Sequence, residues 1–235
     1  MLDQFPYISL YTAKSNCCNT LLIPGSVMFK DLFKKSFKKY LVIIFVVTWI
    51  ILAINPVDFN IWVLENILVV TLFPLVLWLD KKFNFYNLTF LSLTVFVILH
   101  LFGAHMTYNT MVYFNWFSEL FGWQRNYYDQ LIHFLFGLMV FATFFEIFYH
   151  QGISRKLSYL IAFLFISSIG AWYEVLEGIT VAVLCEDNEQ ACMDALTQGD
   201  VLDTQKDILY AMAGSVIAWL LHRMWGSKTP RKCSD

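Results

Sequence analysis

The sequence predicts an all-α fold, a polytopic membrane helix bundle of six transmembrane helices with both termini on the cytoplasmic side. Three observations carry that prediction. Charged residues make up only 14% of the 235-residue chain and hydrophobic ones 58%, with a mean hydropathy of +0.58, whereas a soluble domain carries about 25% charged residues. Six mostly apolar segments approach the roughly 20 residues that a helix needs to cross the hydrocarbon core. The gaps between them alternate between basic and nearly base-free.

The first span is expected from Tyr40 to Asn55, a short run that Lys38 and Lys39 can lengthen by snorkelling. The second runs from Trp62 to Leu79 and the third from Tyr86 to His105. The fourth covers Leu131 to Tyr149. The fifth starts at Leu157 and holds to Leu176, with a helical continuation toward Leu184. The sixth is Ile208 to Trp225, with Gly214 as a small packing residue. The organisation is then a cytoplasmic N-terminal segment over 1–39, a membrane domain over 40–225 and a basic cytoplasmic tail over 226–235. No internal repeat or linker divides it further.

Lysine and arginine fix the orientation. Fourteen of the 16 fall in the N-terminal segment, the second-to-third and fourth-to-fifth gaps and the tail, leaving Arg125 and Lys206 on the other side. Cytoplasmic loops carry the basic excess, so both ends are expected in the cytoplasm. A cleaved signal peptide is the competing reading of the first run, but Ala53-Ile54-Asn55-Pro56 is a poor cleavage site. The net charge of −2 gives no reason to expect a nucleic-acid partner; membrane lipid is the expected surroundings.

In this topology Cys185 and Cys192 share the last outward loop, where an oxidising compartment favours a disulfide. A metal pair is the weaker alternative, since the spacing is not that of a zinc knuckle, and two unpaired thiols are the third. Cys17 and Cys18 face the reducing side and are expected to be free. The aromatic-rich loop from Thr107 to Tyr128 is expected at the outer headgroup layer, as a plain anchor or as a lipid-binding lid.

Ionisable residues collect at that same outer edge. Asp129 and His133 are four apart at the start of the fourth span, Glu174 and Glu177 three apart near the end of the fifth, and Asp203 and Asp207 four apart at the start of the sixth, just after Asp200. Each spacing puts a pair on one helix face. His100 and His105 close the third span. An acidic residue suits a helix N-terminus, which is the bland account of Asp129, Asp203 and Asp200 but not of Glu174 and Glu177. Six carboxylates beside Arg125 and Lys206 need protons, protonated histidines or a divalent cation to coexist. Carboxylates with histidine suit Mn, Fe or Zn, and carboxylates alone suit Mg or Ca. The metal-ligating candidates are therefore Asp129, His133, Glu174, Glu177, Asp203 and Asp207.

Plainer roles stand beside these. His105 reads as an interfacial histidine without a task, and His100 as either a site residue or an interhelical hydrogen bond. Glu146 and His150 read as a local ion pair, and Glu65 as a side chain that reaches water.

With these residues in place, the chain resembles the YjdF-like family of predicted bacterial inner-membrane proteins, which has no assigned activity. The resemblance spans 100–215 and rests on His100-Leu-Phe-Gly103-Ala104-His105, Arg125-Asn126-Tyr127-Tyr128-Asp129 through His133 and Gly137, Glu146, Tyr173-Glu174, Glu177, and Gln198-Gly199-Asp200 through Thr204-Gln205-Lys206-Asp207 with Gly214. It implies a multi-pass protein of the bacterial inner membrane. A fainter similarity reaches the VanZ-like membrane proteins through Asp129/His133, Glu174 and Asp207/Gly214; their Arg/Asn pattern in the final block is missing here. Neither family supplies a reaction.

Three functional readings follow. The first is a metal-assisted hydrolase or transferase acting on a lipid or lipid-linked substrate, with His133 or Glu174 as general base, Asp207 in the catalytic set, and a metal or Arg125 stabilising negative charge. The second is a cation- or proton-coupled transporter. The third is a structural or partner-binding clasp. An apolar floor with a lateral opening favours lipid chemistry, and a continuous polar path favours transport.

Overall fold

The structure is a computed structural model that describes residues 36–108, 111–123, 125–184 and 200–225. Cys185 and Cys192, with Cys17 and Cys18, lie outside the described residues, as do most of the N-terminal segment and the tail beyond Trp225. Among the described residues seven α-helices follow in order: α1 (Phe37–Leu52), α2 (Phe59–Phe83), α3 (Asn87–Met106), α4 (Val112–Leu120), α5 (Tyr128–His150), α6 (Arg155–Leu184) and α7 (Asp203–Trp225). There is no strand among the described residues.

Among the described residues, four helices are long and apolar enough to cross a membrane: α2, α3, α5 and, over Arg155–Ile179, α6. At 16 residues α1 falls short of the usual ~20. Its first turn holds Lys38 and Lys39, which the sequence placed just before it. α7 has 23 residues, but its first turns carry Asp203, Lys206 and Asp207.

Successive long helices run in opposite directions, and polar contacts pin their ends. At one end of the bundle Lys38 Nζ donates to Asp80 Oδ1 and to the Phe85 carbonyl, both at 2.6 Å, and the Phe85 N–H donates to Asp80 at 3.0 Å. That joins the start of α1 to the turn between α2 and α3. Asn84 makes the turn in the left-handed region (φ 47°), which asparagine tolerates better than most residues. Beside it the buried Glu146 of α5 accepts from the Tyr86 N–H at 2.9 Å and from the Thr89 hydroxyl. It thereby satisfies donors that the first turn of α3 leaves unpaired. At the opposite end His105 Nδ1 bonds the Leu52 carbonyl at 2.8 Å, closing the last turn of α1. His105 thus has a structural task that the sequence reading did not give it.

The tightest packing joins the parallel pair α5 and α7. Gly137 lies against the backbone of Ala211 and Ser215, and Gly214 against the backbone of Phe134 and Leu138. A Cβ at either glycine would overlap the other helix's main chain. Ala211, Ser215 and Ala218, all buried, extend this seam of small residues. Because the two helices are parallel, the contact brings their first turns together. Those turns carry Asp129 with His133, and Asp203 with Asp207.

Candidate functional site

A locked turn feeds the site. The Asn126 side chain accepts from the Tyr128 N–H (2.9 Å) and donates to the Met111 carbonyl (3.0 Å) and to Asn115 (2.8 Å). The Tyr128 hydroxyl donates to the Leu99 carbonyl at 2.7 Å. Together these fix the first turn of α5 against α3 and α4, and with it the heading of Asp129 and His133. Outside this turn, Trp116, Phe117, Leu120, Phe121 and Trp123 form an exposed aromatic-apolar rim.

The structure brings the paired residues of α5, α6 and α7 together. His133 Nε2 lies 3.6 Å from Asp129 Oδ1 and 3.3 Å from Glu174 Oε1. Asp129, His133 and Asp207 can each offer one ligand atom within 4.8 Å of the others. They are the one such group among the described residues. His133 is 7% exposed, Glu174 6% and Asp207 2%. Asp207 Oδ1 and Glu174 Oε1 are buried and accept no hydrogen bond from the described residues. Leaving buried acceptors of that kind unpaired is unfavourable. Glu177 has Asp129, Glu174, Glu65 and Asp207 as electrostatic neighbours but is not one of the three residues whose ligand atoms lie within 4.8 Å of one another. Thr204 bonds Glu174 from the first turn of α7.

Asp203 and Asp200 are held differently. Arg125 places Nη1 2.7 Å from Asp200 and Nη2 2.8 Å from Asp203, and Gln130 adds a bond to Asp203 at 3.1 Å. Lys206 closes on Asp200 at 2.5 Å. That bond, the Leu202 N–H and Arg125 hold the Asp200 carboxyl below the usual carboxylate range. Both terminal nitrogens of Arg125 are therefore engaged in fixing the turn before α7. Gln205, in the first turn of α7, is exposed.

His100 belongs to a second polar group on α2, α3 and α6. The Tyr108 hydroxyl lies 2.6 Å from His100 Nδ1, and His100 Nε2 approaches Glu65, 3.4 Å from its carbonyl and 3.8 Å from its carboxylate. Tyr173 donates to the same carboxylate at 2.9 Å. Burial pushes the Tyr108 hydroxyl well above its ordinary value, so it stays a donor. Two backbone features seat this ring. Thr107 takes φ 58°, an uncommon conformation for a β-branched residue, and Gly103 leaves the space that the Tyr108 ring fills. Glu65 therefore does not simply reach water, contrary to the expectation above. Sequence reasoning gave Glu65, Tyr108, Tyr173 and Gln130 no role in holding the site together. A glutamate four residues inside a span was the available signal for the first.

The two polar groups meet at the end of one cavity. It has a volume of about 300 Å³ and is lined by α1, α2, α3, α5 and α6, almost entirely with aliphatic and aromatic side chains. Its polar end is formed by His100, Tyr108, Asp129, His133 and Tyr173. Leu72, Trp172 and Leu176 line it and are also exposed on the outer surface of the bundle, at 49%, 65% and 52%. The cavity thus opens sideways, between α2 and α6.

The family described as "Predicted membrane protein (DUF2238)" matches residues 37–228, and the chain belongs to that family. No curated protein and no solved structure matches it.

Proposed function

We propose that this is a membrane-embedded, metal-assisted hydrolase or transferase acting on a lipid or lipid-linked substrate. One observation carries the reading: a laterally open apolar cavity ends on Asp129 and His133, two of the three residues able to share a cation. A mixed carboxylate and imidazole set suits Mn, Fe or Zn. Such an ion would offset the crowded negative charge and activate a water. Asp129, His133 and Asp207 would hold it. Glu174, whose buried Oε1 lies 3.3 Å from His133 Nε2 and accepts no hydrogen bond from the described residues, would serve as general base toward a water. Arg125 acts as a positioning residue that sets the turn bearing Asp203.

The protein is proposed to cross the bacterial inner membrane six times, with both termini cytoplasmic and the site outward, from the 14-to-2 split of basic residues. α1 and α7 complete the six. Membership of the narrower YjdF-like group, with its distant VanZ-like kinship, belongs to the same proposal. Single-cysteine labelling in intact cells should reach Asn115→Cys but not Lys81→Cys; the reverse pattern would overturn the orientation. The proposed bridge between Cys185 and Cys192 is tested by mass spectrometry of unreduced peptides, in which free alkylation of both thiols rejects it.

The arrangement of Arg125, Asp200, Asp203 and Gln130 favours a second reading for its own part of the cluster, a structural clasp between α5 and α7. The apolar lining of the cavity counts against transport. The catalytic reading is tested with protein in nanodiscs of bacterial polar lipids, following lipid turnover by mass spectrometry. Turnover that a chelator stops and Mn, Fe or Zn restores supports it. Turnover that survives Asp207→Ala and Glu174→Gln rejects it.

A further inference from the structure

Tyr108, His100, Glu65 and Tyr173 form a chain of contacts that the chemistry proposed above does not use, and it ends on one of the three cation-binding candidates. The Tyr173 ring meets the His133 ring edge to face, at 64° with centroids 5.8 Å apart, a favoured aromatic geometry. Its hydroxyl is anchored on Glu65 of α2, at 2.9 Å. Glu65 is approached in turn by His100 of α3, whose Nε2 lies 3.4 Å from its carbonyl and 3.8 Å from its carboxylate. The Tyr108 hydroxyl donates to His100 Nδ1 at 2.6 Å, so in the neutral ring the hydrogen of His100 sits on Nε2 and faces Glu65. The chain therefore crosses from α3 through α2 to α6 and stops at a ring on α5.

Rotation about its side-chain bonds decides where His133 Nε2 points, and the carboxylates beside it do not fix that angle. Asp129 Oδ1 is 3.6 Å from Nε2, too far for a hydrogen bond, and Glu174 Oε1, at 3.3 Å, accepts none from the described residues. A ligating histidine is usually oriented by a hydrogen bond to its ring; here an anchored aromatic ring takes that place. We infer, on the cation-binding reading above, that Glu65 and Tyr173 are positioning residues for His133. The Tyr173 ring sets the tilt of the imidazole, and the bond to Glu65 holds the Tyr173 ring. The same bond bears on Glu174. Neighbouring residues of a helix point about 100° apart, so Tyr173 turned toward α2 leaves Glu174 turned toward His133 of α5 and Thr204 of α7.

The test uses full-length protein in detergent micelles and two readouts. Cobalt(II) is the metal probe, because its visible absorption reports the ligand set. Isotope-labelled histidine is followed by NMR without metal, with the His133 ring resonance identified by its loss in His133→Gln. Tyr173→Phe keeps the ring and removes its anchor, Glu65→Leu removes the acceptor, and Glu65→Gln keeps one. Tyr173→Phe and Glu65→Leu should each weaken cobalt binding about tenfold, change its spectrum and shift the His133 resonance. The double variant should bind no more weakly than either single one, because the two residues act as a unit. Glu65→Gln should stay close to wild type on both readouts. A His133 resonance unmoved in Tyr173→Phe would overturn the inference whether or not cobalt binding weakens, and so would additive losses in the double variant. A wild type that binds no cobalt, with a His133 resonance that still shifts in Tyr173→Phe and Glu65→Leu but not in Glu65→Gln, would keep the positioning role and overturn the cation reading. Cobalt binding by the wild type that is unchanged in both single variants, with His133 unmoved, would do the opposite.

Discussion

Both ends of this bundle bury carboxylates, and the two ends treat them in opposite ways. At the Lys38 end, Asp80 accepts from Lys38 and from the Phe85 N–H, and Glu146 accepts from the Tyr86 N–H and the Thr89 hydroxyl. Each carboxylate joins two helices through donors that come to it. At the Asp129 end, Asp207 and Glu174 each keep a buried oxygen without a donor, and five carboxylates share one arginine that bonds only Asp203 among them. Burial alone does not separate structural acids from functional ones, since Glu146 and Asp207 are both 2% exposed. The partners separate them. A satisfied buried acid holds the fold, and an unsatisfied cluster stays costly until a proton, a cation or a substrate arrives.

The comparison predicts opposite outcomes for matched substitutions. Asp207→Asn and Glu174→Gln should lower lipid turnover by at least ~100-fold, while thermal stability stays the same or rises because a repelling charge is gone. If Asp207→Asn unfolds the protein and leaves turnover per folded molecule intact, the two ends do not differ as described. Glu146→Ala should behave in reverse. It strands the Tyr86 N–H and the Thr89 hydroxyl and should cost ~3 kcal/mol in urea or thermal unfolding, with metal content per folded molecule unchanged.

Gly137→Ala sits between these cases. Its added Cβ meets the Ala211 main chain, so α5 and α7 must part, at a cost of ~2 kcal/mol. That separation should weaken the site as well, because it moves Asp129 and His133 away from Asp207. Loss of stability with full retention of metal would show that the glycine seam does not set the site.

Asp200 gives the smallest effect. Its carboxyl is held low by Lys206, the Leu202 N–H and Arg125, so its contribution is fully present above the unfolded Asp value of about 3.9 and fades as pH falls through the folded value. The gap in melting temperature between wild type and Asp200→Asn should therefore close below about pH 4. A gap that stays constant to lower pH would show that the carboxylate charge plays no part there.

Much of this was legible from spacing and charge. Asp129/His133, Glu174/Glu177 and Asp203/Asp207 each announce a shared helix face, and alternating basic gaps announce helices of alternating direction, so three helix ends on one side of the bundle had to carry the pairs. Spacing could not say that both terminal nitrogens of Arg125 would be engaged by Asp200 and Asp203, which divides one charge cluster into a clasp and a candidate centre. Glu65 was misread because its depth along α2 gave no sign of Tyr173, more than a hundred residues away, or of His100. The cavity was invisible for a related reason: its walls are ordinary apolar side chains, and only their three-dimensional arrangement leaves space between α2 and α6. Gly137 looked like one more small residue until the parallel packing of α5 on α7 gave it a neighbour.

The most direct test is the metal content of protein purified in mild detergent, soaked with Mn, Fe or Zn and desalted. Wild type and Glu146→Gln should each retain a divalent ion at near one per chain, and Asp207→Ala should retain almost none. A wild-type protein that binds no ion, or an Asp207→Ala protein that binds it as well as wild type, would contradict the account.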